Sequence, residues 1–450
     1  MFIAGTIIRD YFKTTSLTLG EALVSAALAW LLIPLIAIVP FVKYFMSLEF
    51  YQNMGAYALP QAILDSYFET ISGYTSTGLT MVTLPEKAPH AILIWRSLIQ
   101  WFGGVGVIVL FLAVLMNPGT IATRLYIAEG RTDRLVPSIT ETARIIWRIY
   151  FLYTAIGILL LYLAGMPLFD AINHGLTGIA TAGFSTKTTS IGYYKNLKIE
   201  IAMIPIMFAG AISFAIHKKL LAGKISSLYK NVEFRYMLGL FLIATLLITF
   251  DQRTWQNLSR KAVTNNTIFE NLRYSAFQTV SAITTTGFGT TDLSKWSDFS
   301  KFILIVLMII GGCFGSTAGA IKLIRFVIMY KATIWIVKKY FFPVNTVMPF
   351  KVGNRILDEK DIMNAALFAF LYISVLVFCS LVFMFYGQPT IDAIFEVASA
   401  LGGVGLSVGV TAPTMPNVEK IVLIIAMYLG RLEIFPFIAL ISFSWGKTIK

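Results

Sequence analysis

Four turns decide how this chain reads: Tyr74-Thr75-Ser76-Thr77-Gly78-Leu79-Thr80, Ile179-Ala180-Thr181-Ala182-Gly183-Phe184-Ser185, Ile283-Thr284-Thr285-Thr286-Gly287-Phe288-Gly289 and Leu401-Gly402-Gly403-Val404-Gly405-Leu406-Ser407. Aligned on Gly78, Gly183, Gly287 and Gly405 they lie 105, 104 and 118 residues apart, and Leu or Phe follows each aligned glycine. A near-constant period marks a repeated structural unit. One such turn would be ordinary small-residue packing between membrane helices, but four copies, each after a half-length apolar segment, are not explained that way. Thirteen residues before the glycine stands an acid in three repeats, Asp65, Asp170 and Asp392, while Tyr274 takes the place in the third with Glu270 one turn earlier. At the N-terminus of a short helix such an acid is expected to cap free amides and complement the helix dipole.

Working outward, each turn lies between two longer apolar stretches. Eight candidate spans follow, about Glu21 to Phe45, Ala91 to Met116, Trp147 to Leu163, Ile199 to Ile216, Tyr236 to Phe250, Phe302 to Tyr340, Ile362 to Phe385 and Val418 to Phe443; a crossing helix needs roughly 20 apolar residues. The first is too long for the apolar core of a signal peptide and lacks a small-residue cleavage site, so it reads as retained. The composition agrees: 57% of the 450 residues are hydrophobic, 13% are charged and the mean hydropathy is +0.75. That much apolar material cannot be buried within a soluble chain of this length. The two cysteines, Cys313 and Cys379, support neither a disulfide framework nor a Cys-based metal site. The net charge of +13 is spread among apolar runs, which fits membrane orientation better than nucleic acid. Basic residues gather in alternate connections: Arg9 and Lys13; Arg124, Arg131, Arg134, Arg144 and Arg148; Lys218, Lys219, Lys224, Lys230 and Arg235; Lys322, Arg325, Lys331, Lys338, Lys339, Lys351, Arg355 and Lys360; Lys447 and Lys450. By the positive-inside tendency these face the cytoplasm, which puts both termini inside and makes a multi-pass protein of the cytoplasmic (inner) membrane.

The expected fold class is an all-α polytopic membrane protein. Four membrane-pore-membrane repeats (helix, pore helix, filter loop, helix) surround one pseudo-fourfold pore, with repeats at 1–118, 119–217, 218–350 and 351–450. Non-helical backbone at membrane depth is tolerated only inside protein or beside water, and four such loops around one axis would line a pore. Glycine opens dihedrals closed to other residues, so successive carbonyls, joined by Thr and Ser hydroxyls, can replace the hydration shell of a monovalent cation. The turns hold no ring of Asp or Glu for a divalent cation and no positive ring for an anion. The candidate ion-binding filter comprises Thr75, Ser76, Thr77 and Gly78; Ala180, Thr181, Ala182 and Gly183; Thr284, Thr285, Thr286 and Gly287; and Gly402, Gly403, Val404 and Gly405. The fourth turn has no hydroxyl at Gly402, Gly403 or Val404 and must coordinate through backbone.

From about Leu17 to Ser444 the chain resembles the Trk/Ktr/HKT superfamily of potassium transporters, most closely its bacterial TrkH branch. The most specific strings are Trp101-Phe102-Gly103-Gly104-Val105-Gly106, Gly311-Gly312-Cys313-Phe314-Gly315-Ser316-Thr317-Ala318-Gly319 and Gly430-Arg431-Leu432-Glu433-Ile434-Phe435. The resemblance implies potassium uptake, a homodimer with one pore per subunit, and a cytoplasmic TrkA-type nucleotide-binding regulatory subunit. It implies the potassium ion as cargo, with no organic cofactor in this chain. In the superfamily the glycine matching Gly78 separates potassium-selective members from sodium-preferring ones that carry serine. All four positions here are glycine, which implies potassium preference with some sodium leak through unlike turns. TrkH-like proteins usually carry an extra N-terminal helix pair, for which the residues before the first span leave no room.

The sixth span is too long for one crossing, since Phe302 to Tyr340 as a single helix would reach roughly 58 Å. Its middle, Gly311 to Ala320, is poor in helix formers, and a broken helix is expected. A flexible packing kink is the plain alternative. The resemblance makes this loop the gate, formed by Gly311, Gly312, Cys313, Phe314, Gly315, Ser316, Thr317, Ala318 and Gly319 together with Lys322 and Arg431. An ion within the bilayer must face protein or water. The resemblance places Arg431 at the pore below the filter, against a structural pairing with Glu433, and Arg96 is expected in the wall behind the filter. Lys322 would bond freed carbonyls or snorkel to the interface. A cation-coupled (H+ or Na+) symporter is the alternative function, with ion sites at broken helices, although such folds usually show two related halves. An enzyme is not expected: His90, His174 and His217 are too scattered for a metal triad, and no nucleophile-base or phosphate-cradling motif is present.

Overall fold

A computed structural model describes residues 18–106, 109, 123, 135–258, 267–343, 346, 348–353 and 355–444. Arg9, Lys13, Arg124, Arg131, Arg134, Lys447, Lys450 and the end of the second span (110–116) lie outside the described residues.

The fold is helical, with one two-stranded hairpin, Phe350–Val352 paired antiparallel with Arg355–Leu357, among the described residues. Four helical stretches are long and apolar enough to cross a membrane: Leu19–Met46, Ile139–Leu163, Val232–Thr254 and Glu359–Phe385. Local chemistry starts each where it starts. Thr18 with Glu21 and Asp358 with Asp361 form reciprocal capping boxes, and Ser138 caps the helix from Ile139 by accepting from the Glu141 amide. These stretches keep only 28–33% of their most apolar window inside the protein. Phe151, Leu163, Leu246, Phe250, Phe370 and Phe385 point outward. At about 1.5–3 kcal/mol per large apolar side chain left in water, such a surface requires lipid around it.

These four helices are the first spans of the four repeats. Every second span departs from an uninterrupted crossing. The helix His90–Val105 stops on Gly106, whose φ is 102°. Leu197–Ala211 turns by 110° into Phe214–Leu221, and Asn417–Arg431 turns by 107° into Phe435–Ser444. Asp298–Ile310 is separated from Leu323–Lys339 by the expected non-helical stretch. The sequence reading placed a break in the sixth span alone, whereas the second span of every repeat is interrupted. Apolar runs hide this, because hydropathy is blind to chain direction.

Between each pair of spans lies a short helix: Ala58–Tyr74, Leu168–Ile179, Ile268–Ile283 and Thr390–Gly402, with 17, 12, 16 and 13 residues. Their last turns are buried without exception. Each short helix also packs against the second span of the preceding repeat, and the fourth repeat's second span packs on the first short helix, so the arrangement closes.

Candidate functional site

The four short helices end in one backbone manoeuvre. Two residues before the aligned glycine the chain enters the left-handed region, at Ser76 (φ 58°), Thr181 (49°), Thr285 (54°) and Gly403 (62°). The next amide, of Thr77, Ala182, Thr286 or Val404, donates back to the carbonyl of Ser72, Thr177, Ser281 or Ser399 at 2.9, 3.0, 2.9 and 2.8 Å. This is a helix-terminating bond of the Schellman type, and it holds non-glycine residues in a disfavoured conformation at three of the four positions. The aligned glycines follow with φ of 96°, 80°, 81° and 91° at Gly78, Gly183, Gly287 and Gly405.

Those glycines make the ring. A Cβ built on Gly78 would collide with the carbonyl oxygen of Ala182, one on Gly183 with that of Thr286, one on Gly287 with that of Val404, and one on Gly405 with that of Thr77. The contacts run from repeat one to two, three, four and back to one, so the four turns meet at one place. The hydroxyls also hold the turns together. Thr75 bonds Thr77 at 2.8 Å and donates to the Ile71 carbonyl, and Thr284 and Thr286 repeat this pattern, so these hydroxyls brace the turns.

A layer of buried polar residues behind the ring was missed in sequence. Nine residues before the glycine stand Glu69, His174, Gln278 and Glu396, all buried. Glu69 accepts from the Thr80 hydroxyl and the Met81 amide, His174 Nε2 meets the Ser185 hydroxyl at 2.8 Å, and Glu396 accepts from the Ser407 hydroxyl and the Val408 amide. Each ties the chain leaving the ring to its own short helix. The same alignment that found the glycines carries this signal, as a polar residue at minus nine and a hydroxyl at plus two. Arg96 lies in this wall as expected, 2.7 Å from Glu69 and over the Phe184 ring.

The acids at minus thirteen do other work than the capping expected of them. Three of the short helices begin after Tyr57, Pro167 and Pro389 with no side-chain cap, although Asp170 and Asp392 do sit in a first turn, and in the third repeat Thr267 and Glu270 form a capping box. Asp65 is inside its helix and meets Lys420 of the fourth repeat at 2.6 Å, with both side chains fully buried. Asp392 meets Lys301 of the third repeat at 2.7 Å. Between the second and third repeats the signs reverse, and Arg273 holds Glu200 through two bonds of 2.6 Å. Asp170 takes Thr186, Tyr194 and Lys187 from its own repeat, and Ser97 to Asn173 links repeats one and two.

Beneath the ring, on the side of the helix ends, sits the stretch Gly311–Lys322. The Gly319 amide donates to Thr285 Oγ1 at 3.0 Å, Thr317 Oγ1 lies 3.0 Å from Thr181 Oγ1, and a Cβ on Gly319 would strike the Gly402 carbonyl. The stretch also closes the break in the second repeat. Cys313 and Thr317 amides donate to the Ala211 and Gly210 carbonyls, and the Phe214 amide donates to Gly315. Helix-end groups that hydrocarbon could not satisfy are thereby paired. The remaining space is a small cavity of about 30 Å³ lined by Thr75, Ser76, Gly319, Gly402, Gly403, Lys322, Arg431 and Glu433, large enough to admit water. Arg431 donates to the carbonyls of Gly103 and Gly104 at the end of the helix His90–Val105 and lies over Trp30. Lys322 meets a carboxylate: Glu433 bonds both Lys322 and Arg325 at 2.5 Å. Two of the basic residues counted toward the cytoplasmic side are therefore engaged internally.

On the far side of the ring a cavity of about 750 Å³ opens, lined by Gly287, Gly405, Ser407 and the segments 188–195 and 289–293. This wide side is the mouth of the ring. Among the described residues no group of three or more His, Cys, Asp and Glu is placed to hold a metal.

A family model described as TrkH, cation transport protein, matches residues 36–446. An uncharacterized cation transporter of Methanocaldococcus jannaschii is 35% identical over 449 residues, covering 100% of this chain and 88% of its own. The Trk system potassium uptake protein TrkH of Escherichia coli is 36% identical over 392 residues, covering 84% of this chain and 79% of its own. The crystal structure of the potassium transporter TrkH from Vibrio parahaemolyticus superposes with a TM-score of 0.81 at 28% identity, covering 99% of this chain and 90% of that one.

Proposed function

The chain belongs to the TrkH family of cation transport proteins, and from that premise we propose that it takes up potassium across the cytoplasmic membrane through the central ring, acting as a channel-like pore. The observation that carries the reading is the closed cycle of glycine-to-carbonyl contacts, which sets four carbonyl-bearing turns around one axis. Carbonyl oxygens so arranged suit a dehydrated monovalent cation. Potassium is the cargo, held by residues 75–78, 180–183, 284–287 and 402–405 of the four repeats, which divide near residues 118, 217 and 350.

In this reading Gly311–Gly319, with Lys322 and Arg431, is the gate. The bonds from Thr317 and Gly319 to two of the turns, and the small cavity left below them, support a closed pore. Arg431 adds a positive barrier to cations there. The mouth faces outward and both termini face the cytoplasm, where a TrkA-type nucleotide-binding subunit moves the loop. Relatives named as parts of a Trk system support such a partner, and a second copy of the chain completes a homodimer.

The test is electrical. Reversal potentials in proteoliposomes should follow the potassium gradient, and Gly78→Ser should weaken discrimination against sodium while the protein still folds. A fixed offset with pH or sodium would instead mark a cation-coupled symporter.

A further inference from the structure

The four chains leaving the ring are not held alike. In repeats one, two and four the residue two beyond the glycine carries a hydroxyl, on Thr80, Ser185 and Ser407, and each bonds the buried residue at minus nine of its own short helix. Repeat three has Gly289 at that place. Its minus-nine residue, Gln278, is fully buried, and neither its Oε1 nor its Nε2 has a protein partner. An unpaired buried amide is costly, so the pattern at this repeat is broken where the other three keep it.

What holds the third limb comes from another repeat. The Gly289 amide donates to the Ser190 hydroxyl at 3.2 Å, and the Gly192 amide donates to the Gly289 carbonyl at 3.0 Å. Gly192 is pressed against this limb, since a Cβ there would lie 2.7 Å from the Thr290 carbonyl oxygen. Ser190 itself stands at a φ of 53°. Both partners belong to the short connection Ser190–Tyr194 at the mouth.

We propose that the third limb is the adjustable element of the ring, positioned by Ser190 and Gly192 from the mouth and not by its own short helix, and that Gly289 and Gln278 thereby set how sharply the pore separates potassium from sodium. The inference deepens the filter reading and rests on it. The Val404 carbonyl lies against Gly287, two residues before the clamp, so movement of the limb is passed directly to the third and fourth positions of the ring.

The geometry supplies a gain-of-function test. Gly289 is outside the left-handed region, and a Cβ there would sit 3.7 Å from Gln278 Nε2 in ordinary contact. Gly289→Ser can therefore install the missing hydroxyl within reach of Gln278 without displacing backbone. One buried hydrogen bond shifts an equilibrium by roughly two- to tenfold. The potassium-to-sodium permeability ratio, from bi-ionic reversal potentials of the full chain in liposomes, should rise by about that factor in Gly289→Ser and fall by about that factor in Ser190→Ala. The double variant should recover the wild-type ratio or better. Hydrogen exchange of the 287–291 amides, which a change in permeation alone would not move, should slow in Gly289→Ser and quicken in Ser190→Ala. A selective wild-type pore whose ratio and exchange are unchanged by either substitution overturns the proposal. A wild-type chain that carries no potassium current overturns the filter reading beneath it.

Discussion

At the scale of single residues, the glycine ring separates two reasons for excluding a side chain. The superfamily contrast is glycine against serine, which puts attention on the hydroxyl. Here the Cβ alone collides with the neighbouring repeat's carbonyl at all four positions, and the positive φ adds strain for any L-residue. Gly183→Ala and Gly405→Ala should therefore lower potassium-over-sodium permeability about as much as the serine variants, by roughly tenfold, or about 1.4 kcal/mol. Bi-ionic reversal potentials read this, with thermal unfolding to confirm that the variants fold. An alanine variant with wild-type selectivity would show the hydroxyl to be the cause. The glycines themselves were legible because they recur at a fixed spacing. The left-handed residue two places earlier was not, because Ser76, Thr181 and Thr285 are poor predictors of that conformation and depend on the Schellman bond to hold it.

At the scale of elements, the broken second spans explain one another. A helix end in hydrocarbon exposes carbonyls and amides at a cost of several kcal/mol each. The end at Gly103 and Gly104 is answered by Arg431, and the break after Ala211 by Gly311–Lys322. The loop is thus a structural cap and, in the proposed reading, also the plug beneath the ring, held to the turns above by the bonds of Thr317 and Gly319. Thr317→Val removes the hydroxyl that meets Thr181 and the carbonyls of Ile179 and Gly210. The loss should raise potassium flux in the absence of any partner by about tenfold, the equivalent of one or two hydrogen bonds. Flux from a stopped-flow liposome assay decides, and unchanged basal flux would mean that these bonds do not hold the loop shut. The sixth-span break was readable from its length and its glycines. Those after Ala211 and Arg431 were not, since Ile212-Ser213 and Leu432-Glu433-Ile434 hold no glycine or proline to mark a break.

At the scale of the whole molecule, ion pairs join three of the four repeat boundaries and the Ser97–Asn173 hydrogen bond joins the fourth. Lys420 and Asp65 are both fully buried and 355 residues apart. Removing one partner of such a pair leaves an uncompensated charge and costs about 3–5 kcal/mol, while replacing both by apolar residues is often near neutral. Lys420→Met should lower the unfolding midpoint markedly and Lys420→Met with Asp65→Leu should restore most of it. Exchanging Glu200 and Arg273 for one another should retain stability where either single change does not. Thermal unfolding in detergent measures both, and a double variant no better than the single would argue against the pairing. By itself the sequence determined the membrane setting, the four units and the ring glycines, because hydropathy, periodicity and turn chemistry act over short stretches of chain. Only the tertiary structure decided which acid meets which base, that every second span breaks, and that the third limb is clamped from the mouth. Those contacts join residues many tens to hundreds of positions apart, and nothing local to either residue names its partner.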